Sequence, residues 1–200
     1  MNAPDTTRTG SVYLTFDDGP DPEWTPRILD LLAQTGVHAA FFVVGEFARK
    51  EPTLLRRIAA EGHAIGNHTL SHRHPWMLKA SAARREVREG AEAIAQIVGQ
   101  RPRFYRAPHG RDRRCMTDEA TQLGSVRVGW NLSAIDWGPL GTSGRIAARL
   151  NDASDGDVIL MHDGRNRHNR PDELLRVLPE FLRRLPARNL HSRSLDERSH

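Results

Sequence analysis

The stretch SVYLTFDDGP, residues 11–20, combines a strand pattern with a pair of carboxylates. Its first six residues are mostly β-branched, aromatic or aliphatic, which is typical of a buried strand. Asp17 and Asp18 follow at once, and Gly19 and Pro20 favour a turn. Because Asp, Gly and Pro are all common in turns, the acidic pair taken alone fits a turn as well as a catalytic role.

Similar short apolar runs alternate with longer amphipathic ones along the chain. The seven candidate strands are SVYLTF (11–16), HAAFFVV (38–44), HAIGN (63–67), RFYRA (103–107), SVRVGW (125–130), DVILM (157–161) and NLHSRSL (189–195). The candidate helices are TPRILDLLAQTG (25–36), EPTLLRRIAAEG (51–62), SAARREVREGAEAIAQIVG (81–99), MTDEATQLG (116–124), SGRIAARLNDA (143–153) and PDELLRVLPEFLRRL (171–185). This alternation predicts parallel strands joined by helical crossovers, and therefore an α/β sheet or barrel.

Size and composition fit one globular domain. With 200 residues, 38% of them hydrophobic and 27% charged, the chain can bury a core and is not of disordered composition. We expect a domain over residues 11–196, with tails at 1–10 and 197–200. The net charge of +4 comes from scattered arginines without interleaved aromatic residues, so we expect no nucleic-acid partner, although an acidic polymer stays an alternative.

Cysteine content and hydropathy bear on the type of protein. The single cysteine, Cys115, excludes an internal disulfide and a zinc site made of several cysteines. No segment approaches 18 apolar residues, so we expect no membrane span. The N-terminal MNAPDTTRTG lacks a basic stretch leading into an apolar one, which predicts a cytoplasmic protein; an exported protein whose signal segment had been removed would look the same. The oligomeric state is open.

Residues able to do chemistry fall at the ends of the predicted strands. In parallel α/β folds these ends meet at one edge, where sites are built from the loops of several strands. We therefore expect a single site there. Its candidate members are Asp17, Asp18, His68, His72, Arg106, Asp136 and His162.

His68 and His72 supply two imidazoles four positions apart. We expect this spacing to place both rings on one face of a helical turn, where they can bind one cation. A carboxylate such as Asp18 would complete a site of two histidines and one carboxylate, with positions open for water and a substrate oxygen. A chance pair is the alternative, because the chain has ten histidines, with His63 and His74 close by.

Taken together, these elements resemble the polysaccharide deacetylases, also called carbohydrate esterase family 4 or the nodulation-type chitooligosaccharide deacetylase homology domain. The resemblance runs from Val12 to Leu195. It rests on the ordered stretches TFDDGPDP, TPRILDLL, AAFFVVG, RRIAAEGHAIGNHTLSH, RAPHG, IDW and VILMHDG. It implies a single-domain, distorted seven-stranded (β/α) barrel that removes N-acetyl groups from sugars containing N-acetylglucosamine. It also implies one divalent metal ion, usually Zn²⁺, with Co²⁺ or Ni²⁺ able to serve.

The resemblance also implies a role for each matching residue. Asp18, His68 and His72 match the metal ligands. Asp17 matches the general base that takes a proton from the attacking water, and Arg106 matches the arginine that orients this base.

On the other side of the scissile bond, His162 matches the general acid that protonates the leaving amine. Asp136 matches the aspartate that keeps His162 charged. The backbone N–H of His109, after Pro108, is expected to hold the oxyanion. The side chains expected to surround the acetyl methyl group are Trp137 and Leu160.

Three positions depart from the family pattern or stand apart from it. His109 replaces a residue that is usually Tyr, which should change substrate contacts but not catalysis. Ser133 replaces a frequent Asp three positions before Asp136, which puts a secondary contact in doubt. Trp76, in the loop after His72, either stacks on a sugar ring or anchors its loop.

The same catalytic groups suit other substrates. Alternatives within enzymes are a deacylase or deformylase of a lipid-linked or small sugar amide and an O-acetyl esterase acting on xylan. The loops at 72–82, 109–115, 137–144 and 163–171 are expected to decide between these substrates. A non-catalytic carbohydrate-binding protein is the alternative from another class, and the presence of every expected ligand, base and acid disfavours it.

Overall fold

The computed structural model describes residues 9–164, 166 and 168–198. Its strands are β1 (Gly10–Asp17), β2 (Ala40–Val43), β3 (Ala64–Asn67), β4 (Phe104–Tyr105), β5 (Val126–Arg127), β6 (Leu132–Ser133), β7 (Val158–His162) and β8 (Leu190–Ser192). Its α-helices are α1 (Trp24–Thr35), α2 (Gly45–Lys50), α3 (Pro52–Ala60), α4 (Ala80–Val98), α5 (Arg114–Gln122), α6 (Ser143–Asn151), α7 (Pro171–Leu175) and α8 (Leu178–Arg184). Short 3-10 helices lie at Pro75–Met77, Pro108–Gly110, Gly138–Leu140, Pro186–Arg188 and Leu195–Glu197.

The strands confirm the predicted distorted barrel. β1 to β7 form one continuous parallel path in the order β5-β4-β3-β2-β1-β7-β6, and β8 pairs with the start of β1. Within the described part of the chain no strand pairing joins β5 to β6, so the barrel is open between them. The predicted tails fall partly on residues 1–8 and 199–200, which lie outside the described residues.

Several predicted elements need correction. All seven predicted strands overlap an observed one, but the seventh member of the barrel path is β6, which was not predicted because Leu132 and Ser133 lie outside the β-branched and aromatic runs. The six-residue helix α2 was also missed. The helix predicted over 171–185 is two helices, because Pro179 lacks an N–H and its ring clashes with a carbonyl four residues back, where α7 ends at Leu175.

Alternation along β1 explains how the sheet positions the site. Val12, Leu14 and Phe16 are fully or almost fully buried in the large cluster formed with the helices. Tyr13 and Thr15 point to the opposite face, the interior of the barrel. The polar residues that end this strand therefore emerge from a core packed on both faces, which fixes their positions.

Among the described residues, no helix combines the length and the apolar character needed to cross a membrane.

Candidate active site

The turn after β1 brings two neighbouring carboxylates to one imidazole. Asp17 is the last residue of β1, and Asp18 has a φ of 74°, so the chain turns sharply there. Asp17 Oδ2 lies 3.7 Å and Asp18 Oδ1 3.4 Å from His68 Nε2. Each carboxylate also accepts a hydrogen bond from a donor of its own, Arg106 for Asp17 and Asn169 for Asp18.

His68 and His72 do come together, but not on a helix, and this part of the prediction was wrong. Residues 68–74 are irregular, with φ values of 69° at Thr69 and 55° at His72. The backbone N–H of His72 donates to Thr69 Oγ1 at 3.3 Å. The two imidazole centroids are 5.0 Å apart. A tight turn, and not a helical turn, therefore brings the two imidazoles close together.

Helix α4 holds this histidine loop in place. Both carboxylate oxygens of Glu86 accept hydrogen bonds from Ser71, one from its backbone N–H at 2.9 Å and one from its hydroxyl at 2.7 Å. Asn67 donates to the carbonyl of Val87 at 2.8 Å. A Cβ on Gly90 would lie 2.5 Å from Asn67 Oδ1, so only glycine permits this close approach of helix and loop.

Asp18, His68 and His72 form the one group in the described chain whose ligand atoms all lie within 4.8 Å of one another. Asp18 Oδ1 is 2.9 Å from His72 Nε2, yet this buried oxygen makes no hydrogen bond of good geometry. His68 donates its Nδ1–H to the carbonyl of Arg106 at 2.8 Å, which leaves Nε2 facing Asp18. A buried carboxylate oxygen without a partner, opposed by two imidazole nitrogens, fits a shared divalent cation.

The pKa shifts of Asp18 and His68 are consistent with a shared divalent cation. Burial alone would raise the pKa of Asp18, but the imidazoles of His68, His72 and His162 outweigh it and hold this pKa well below its ordinary value. Burial would lower the pKa of His68, whereas Asp17 and Asp18 raise it overall. Asp18 is therefore a carboxylate over the physiological pH range.

Arg106 lies behind Asp17 and is almost completely buried. Its Nη1 donates to Asp17 Oδ1 at 2.7 Å and to Thr15 Oγ1 at 2.8 Å. Nε and Nη2 donate to the carbonyls of Val128 and Gly129. The guanidinium carbon lies 4.0 Å from the ring centroid of Phe42. Arg106 therefore belongs to a buried ion pair and not to one at the surface.

His162 ends β7 next to Asp17, with which it is in register. Its Nδ1 lies 2.8 Å from Asp136 Oδ1, and its backbone N–H donates to Asp136 Oδ2 at 2.7 Å. Burial would lower the pKa of His162, but the carboxylates of Asp136, Asp18 and Asp17 raise it to about 9. Trp137 meets the imidazole edge-on, with ring centroids 5.3 Å apart. The imidazole is thus held charged at neutral pH.

These side chains surround one cavity of about 320 Å³. Arg106 and Asp136 lie behind it, bonded to groups that face it, and Pro108 is buried next to His109. The lining residues are Asp17, Asp18, His68, His72, His109, Gly110, Trp130, Trp137, Leu160, His162, Asn166, His168 and Asn169.

Five of these lining residues, Gly110, Trp130, Asn166, His168 and Asn169, were not predicted individually. Trp130 ends the predicted strand SVRVGW, and the other four lie in the loops at 109–115 and 163–171 that were expected to decide between substrates. Asn169 donates to Asp18 at 2.7 Å. Asparagines are common in turns, so nothing in their pattern pointed to this contact.

His109 occupies a strained position on the rim. Its φ is 57°, and its ring lies 4.6 Å from that of His72 and 5.2 Å from that of His74. Burial and these two neighbouring imidazoles lower its pKa. The side chain, and not only the backbone N–H considered from the sequence, therefore shapes the cavity.

Trp76, in the loop after His72, is 64% exposed and packs against Arg113. The guanidinium carbon of Arg113 lies 5.3 Å from the centroid of the Trp76 ring.

The loops after β1 and β7 touch directly. The backbone N–H groups of Asp163 and Gly164 both donate to the carbonyl of Asp17, at 3.1 and 3.3 Å. A Cβ on Gly164 would lie 2.0 Å from the carbonyl oxygen of Asp18, so no larger residue fits there without movement. A Cβ on Gly19 would lie 2.1 Å from Asp163 Oδ2. This contact sets the distance between the Asp17 and His162 sides of the cavity.

Comparisons with known proteins identify relatives of the chain. The sequence model of the family described as polysaccharide deacetylase matches residues 5–128. A peptidoglycan-N-acetylglucosamine deacetylase of Bacillus cereus is 37% identical over 172 residues, which are 85% of this chain but only 62% of the relative's length. A chitooligosaccharide deacetylase of Bradyrhizobium sp. is 37% identical over 164 residues, 82% of this chain and 75% of the relative.

A solved structure shares the fold. It is a family 4 acetyl xylan esterase from Clostridium thermocellum in complex with a cobalt ion, with a TM-score of 0.79 and 33% identity over 94% of this chain and 89% of that chain. The family match covers more than half of the chain, and the relatives named above reach 37% identity. This chain therefore belongs to the polysaccharide deacetylase family.

Proposed function

We propose that this protein is a metal-dependent deacetylase of oligo- or polysaccharides that contain N-acetylglucosamine. The observation that supports the proposal is the order of groups in the cavity. Asp17 and His162 end neighbouring strands in register, and the Asp18, His68 and His72 triad lies beside them. A buried carboxylate and a charged imidazole around one small cavity suit hydrolysis of an amide, which needs a base and an acid.

The three residues of the triad would hold one divalent ion, zinc foremost, with cobalt or nickel able to serve. When bound, this ion supplies a Lewis acid that makes water more acidic and polarises the carbonyl. Asp17, held by Arg106, takes the proton from the attacking water. The backbone N–H of His109 stabilises the oxyanion.

His162 then gives its proton to the amine as the carbon–nitrogen bond breaks. Asp136 keeps the imidazole oriented and charged for that step. Trp137 and Leu160 line the cavity and would contact the acetyl methyl group. The products are acetate and a free sugar amine.

An O-acetyl esterase is the second candidate, because the structural relative with 33% identity is an acetyl xylan esterase. The same base would activate water against an ester. An alcohol leaves more readily than an amine, so the esterase reaction depends less on His162.

The proposal is tested by acetate release from chitooligosaccharides, peptidoglycan fragments and acetylated xylan, with and without chelator and added zinc. Activity should vanish with chelator, return with zinc and be lost in Asp17→Asn. Asp152 is an exposed aspartate at the end of α6, so Asp152→Asn is the matched control and should behave as wild type. Full activity in thoroughly metal-free protein contradicts the mechanism, and sugar binding without acetate release favours a non-catalytic protein.

A further inference from the structure

The two oxygens of the Asp18 carboxylate have different surroundings. Oδ1 faces His68 and His72 and has no hydrogen-bond partner among the described residues. Oδ2 accepts hydrogen bonds from two side-chain amides, Asn169 Nδ2 at 2.7 Å and Asn166 Nδ2 at 3.1 Å. The carboxylate is therefore held in one orientation, with one oxygen occupied by amides and the other directed at the imidazoles.

The orientation of both amides is fixed by their other contacts. Nδ2 of Asn169 also donates to the carbonyl of Gly164 at 2.9 Å, and a carbonyl can only accept. Oδ1 of Asn166 accepts the backbone N–H groups of His168 at 2.7 Å and Asn169 at 2.9 Å. Asn169 is also 94% buried, since its exposed fraction is 6%, and it bridges to Trp137. These contacts direct the amide nitrogens of both side chains toward Asp18.

We infer that Asn169, assisted by Asn166, is a positioning residue for the metal ligand Asp18. The inference rests on the proposed function, because it assigns Asp18 to the metal. Hydrogen bonds to Oδ2 leave Oδ1 as the better ligand atom for a cation. They also oppose the rotation of the carboxylate that bidentate coordination would require. Partners of this kind, bonded to a ligand rather than to the metal, typically change metal affinity by about tenfold to a hundredfold.

The experiment compares Asn169→Ala and Asn169→Asp with wild type and with Asn131→Ala. Asn131 is the matched control, because it also makes two hydrogen bonds, to Asp157 and Val158, outside the cavity lining. Zinc affinity is measured by competition with a chromophoric chelator, and the cobalt-loaded proteins are compared by visible absorption. We expect Asn169→Ala to bind zinc about tenfold to a hundredfold more weakly and to shift the cobalt bands, with Asn131→Ala unchanged in both.

Asn166→Ala keeps the test valid if the buried variants fail to fold, since Asn166 is exposed, and it should weaken zinc binding in the same direction by a smaller factor. Wild-type zinc affinity and cobalt bands in these variants would overturn the inference while leaving the proposed function standing. A wild-type protein that binds no zinc would overturn both.

Discussion

Two buried ion pairs flank the cavity, and their charges stand in opposite order. At the end of β1 the carboxylate of Asp17 faces the cavity, with the guanidinium of Arg106 behind it at 2.7 Å. At the end of β7 the imidazole of His162 faces the cavity, with the carboxylate of Asp136 behind it at 2.8 Å. The ion pair on β1 therefore presents a proton acceptor, Asp17, to the cavity, and the ion pair on β7 presents a proton donor, His162.

The positively charged members of the two pairs also differ in whether they lose their proton. A guanidinium stays protonated in proteins, so Arg106 is a permanent positive charge for Asp17. An imidazole can lose its proton, so the charge of His162 depends on Asp136 and on pH. The positive charge beside Asp17 should therefore not change with pH, whereas the positive charge on His162 should be lost as the pH rises.

The largest effect is expected from removing the groups that face the cavity. Asp17→Asn and His162→Asn should each lower kcat on N-acetylated oligosaccharides by about 10²- to 10⁴-fold, the usual contribution of general acid–base catalysis. On 4-nitrophenyl acetate, whose leaving group needs no proton, only Asp17→Asn should retain the large loss. Steady-state kinetics on both substrates measure this. Equal losses on both substrates for the two variants would break the assignment of acid and base.

The second-largest effect is expected in the free energy of unfolding, when the ion pair at the end of β1 is broken. Arg106→Met would leave Asp17 buried without its counter-charge, which typically costs about 3 to 5 kcal/mol in the free energy of unfolding. Arg103→Met is the matched control, because its ion pair with Asp196 is largely exposed and worth less than about 1 kcal/mol. Urea denaturation of the two variants at pH 7 measures the difference. Similar losses would mean that Asp17 does not need its partner.

A smaller effect should appear in the pH dependence of the pair on β7. The pKa of His162, raised to about 9, places the basic limb of kcat near that pH. Asp136→Asn removes the main cause of the raised pKa while burial remains, so the limb should move to lower pH. A raised imidazole pKa also stabilises the fold fully below about pH 6.5 and loses this contribution as the pH rises toward 9, so Tm should depend less on pH in the variant.

Kinetic profiles and Tm from pH 6 to 10 test this together, with Arg103→Met as a variant that should shift neither. A basic limb that stays in place in Asp136→Asn would assign it to another group.

The smallest effect is expected at His109, which touches neither pair. His109→Tyr restores the residue usual in the family, and only the side chain changes, so kcat and both pH limbs should stay within a few-fold of wild type. KM for oligosaccharides should change, because the ring lines the cavity. A loss of kcat above tenfold would show that the histidine side chain takes part in the reaction.

Local sequence patterns were enough to predict a parallel α/β sheet or barrel and the edge where a site would lie, and the family resemblance supplied the distorted barrel. Runs of β-branched, aromatic and aliphatic residues in β1, β2 and β7 and the glycines after α1 and α4 are short-range signals. The position of the candidate residues after strands followed from the geometry of parallel sheets. The family resemblance added the pairing of Asp17 with Arg106 and of His162 with Asp136, which no local pattern gives.

The remaining features depend on contacts distant in sequence. β6 has two paired residues and no alternation of its own, so only β7 defines it. The left-handed residues Thr69 and His72 are held by α4, and the amides at Asn166 and Asn169 act on a carboxylate 148 and 151 positions away. Such features lie beyond short-range periodicity, which is why the helical turn at His68 was wrongly predicted.

The contact between Gly164 and the backbone of Asp18 has a practical meaning for protein engineering. With a Cβ only 2.0 Å from that carbonyl, neither loop can be replaced by a bulkier one while the other stays. Loops exchanged between relatives to alter substrate choice should therefore be transplanted as a pair, one following β1 and one following β7. A library that diversifies the 163–171 loop should keep Gly164, Asn166, Asn169 and the Asp17–Gly19 turn.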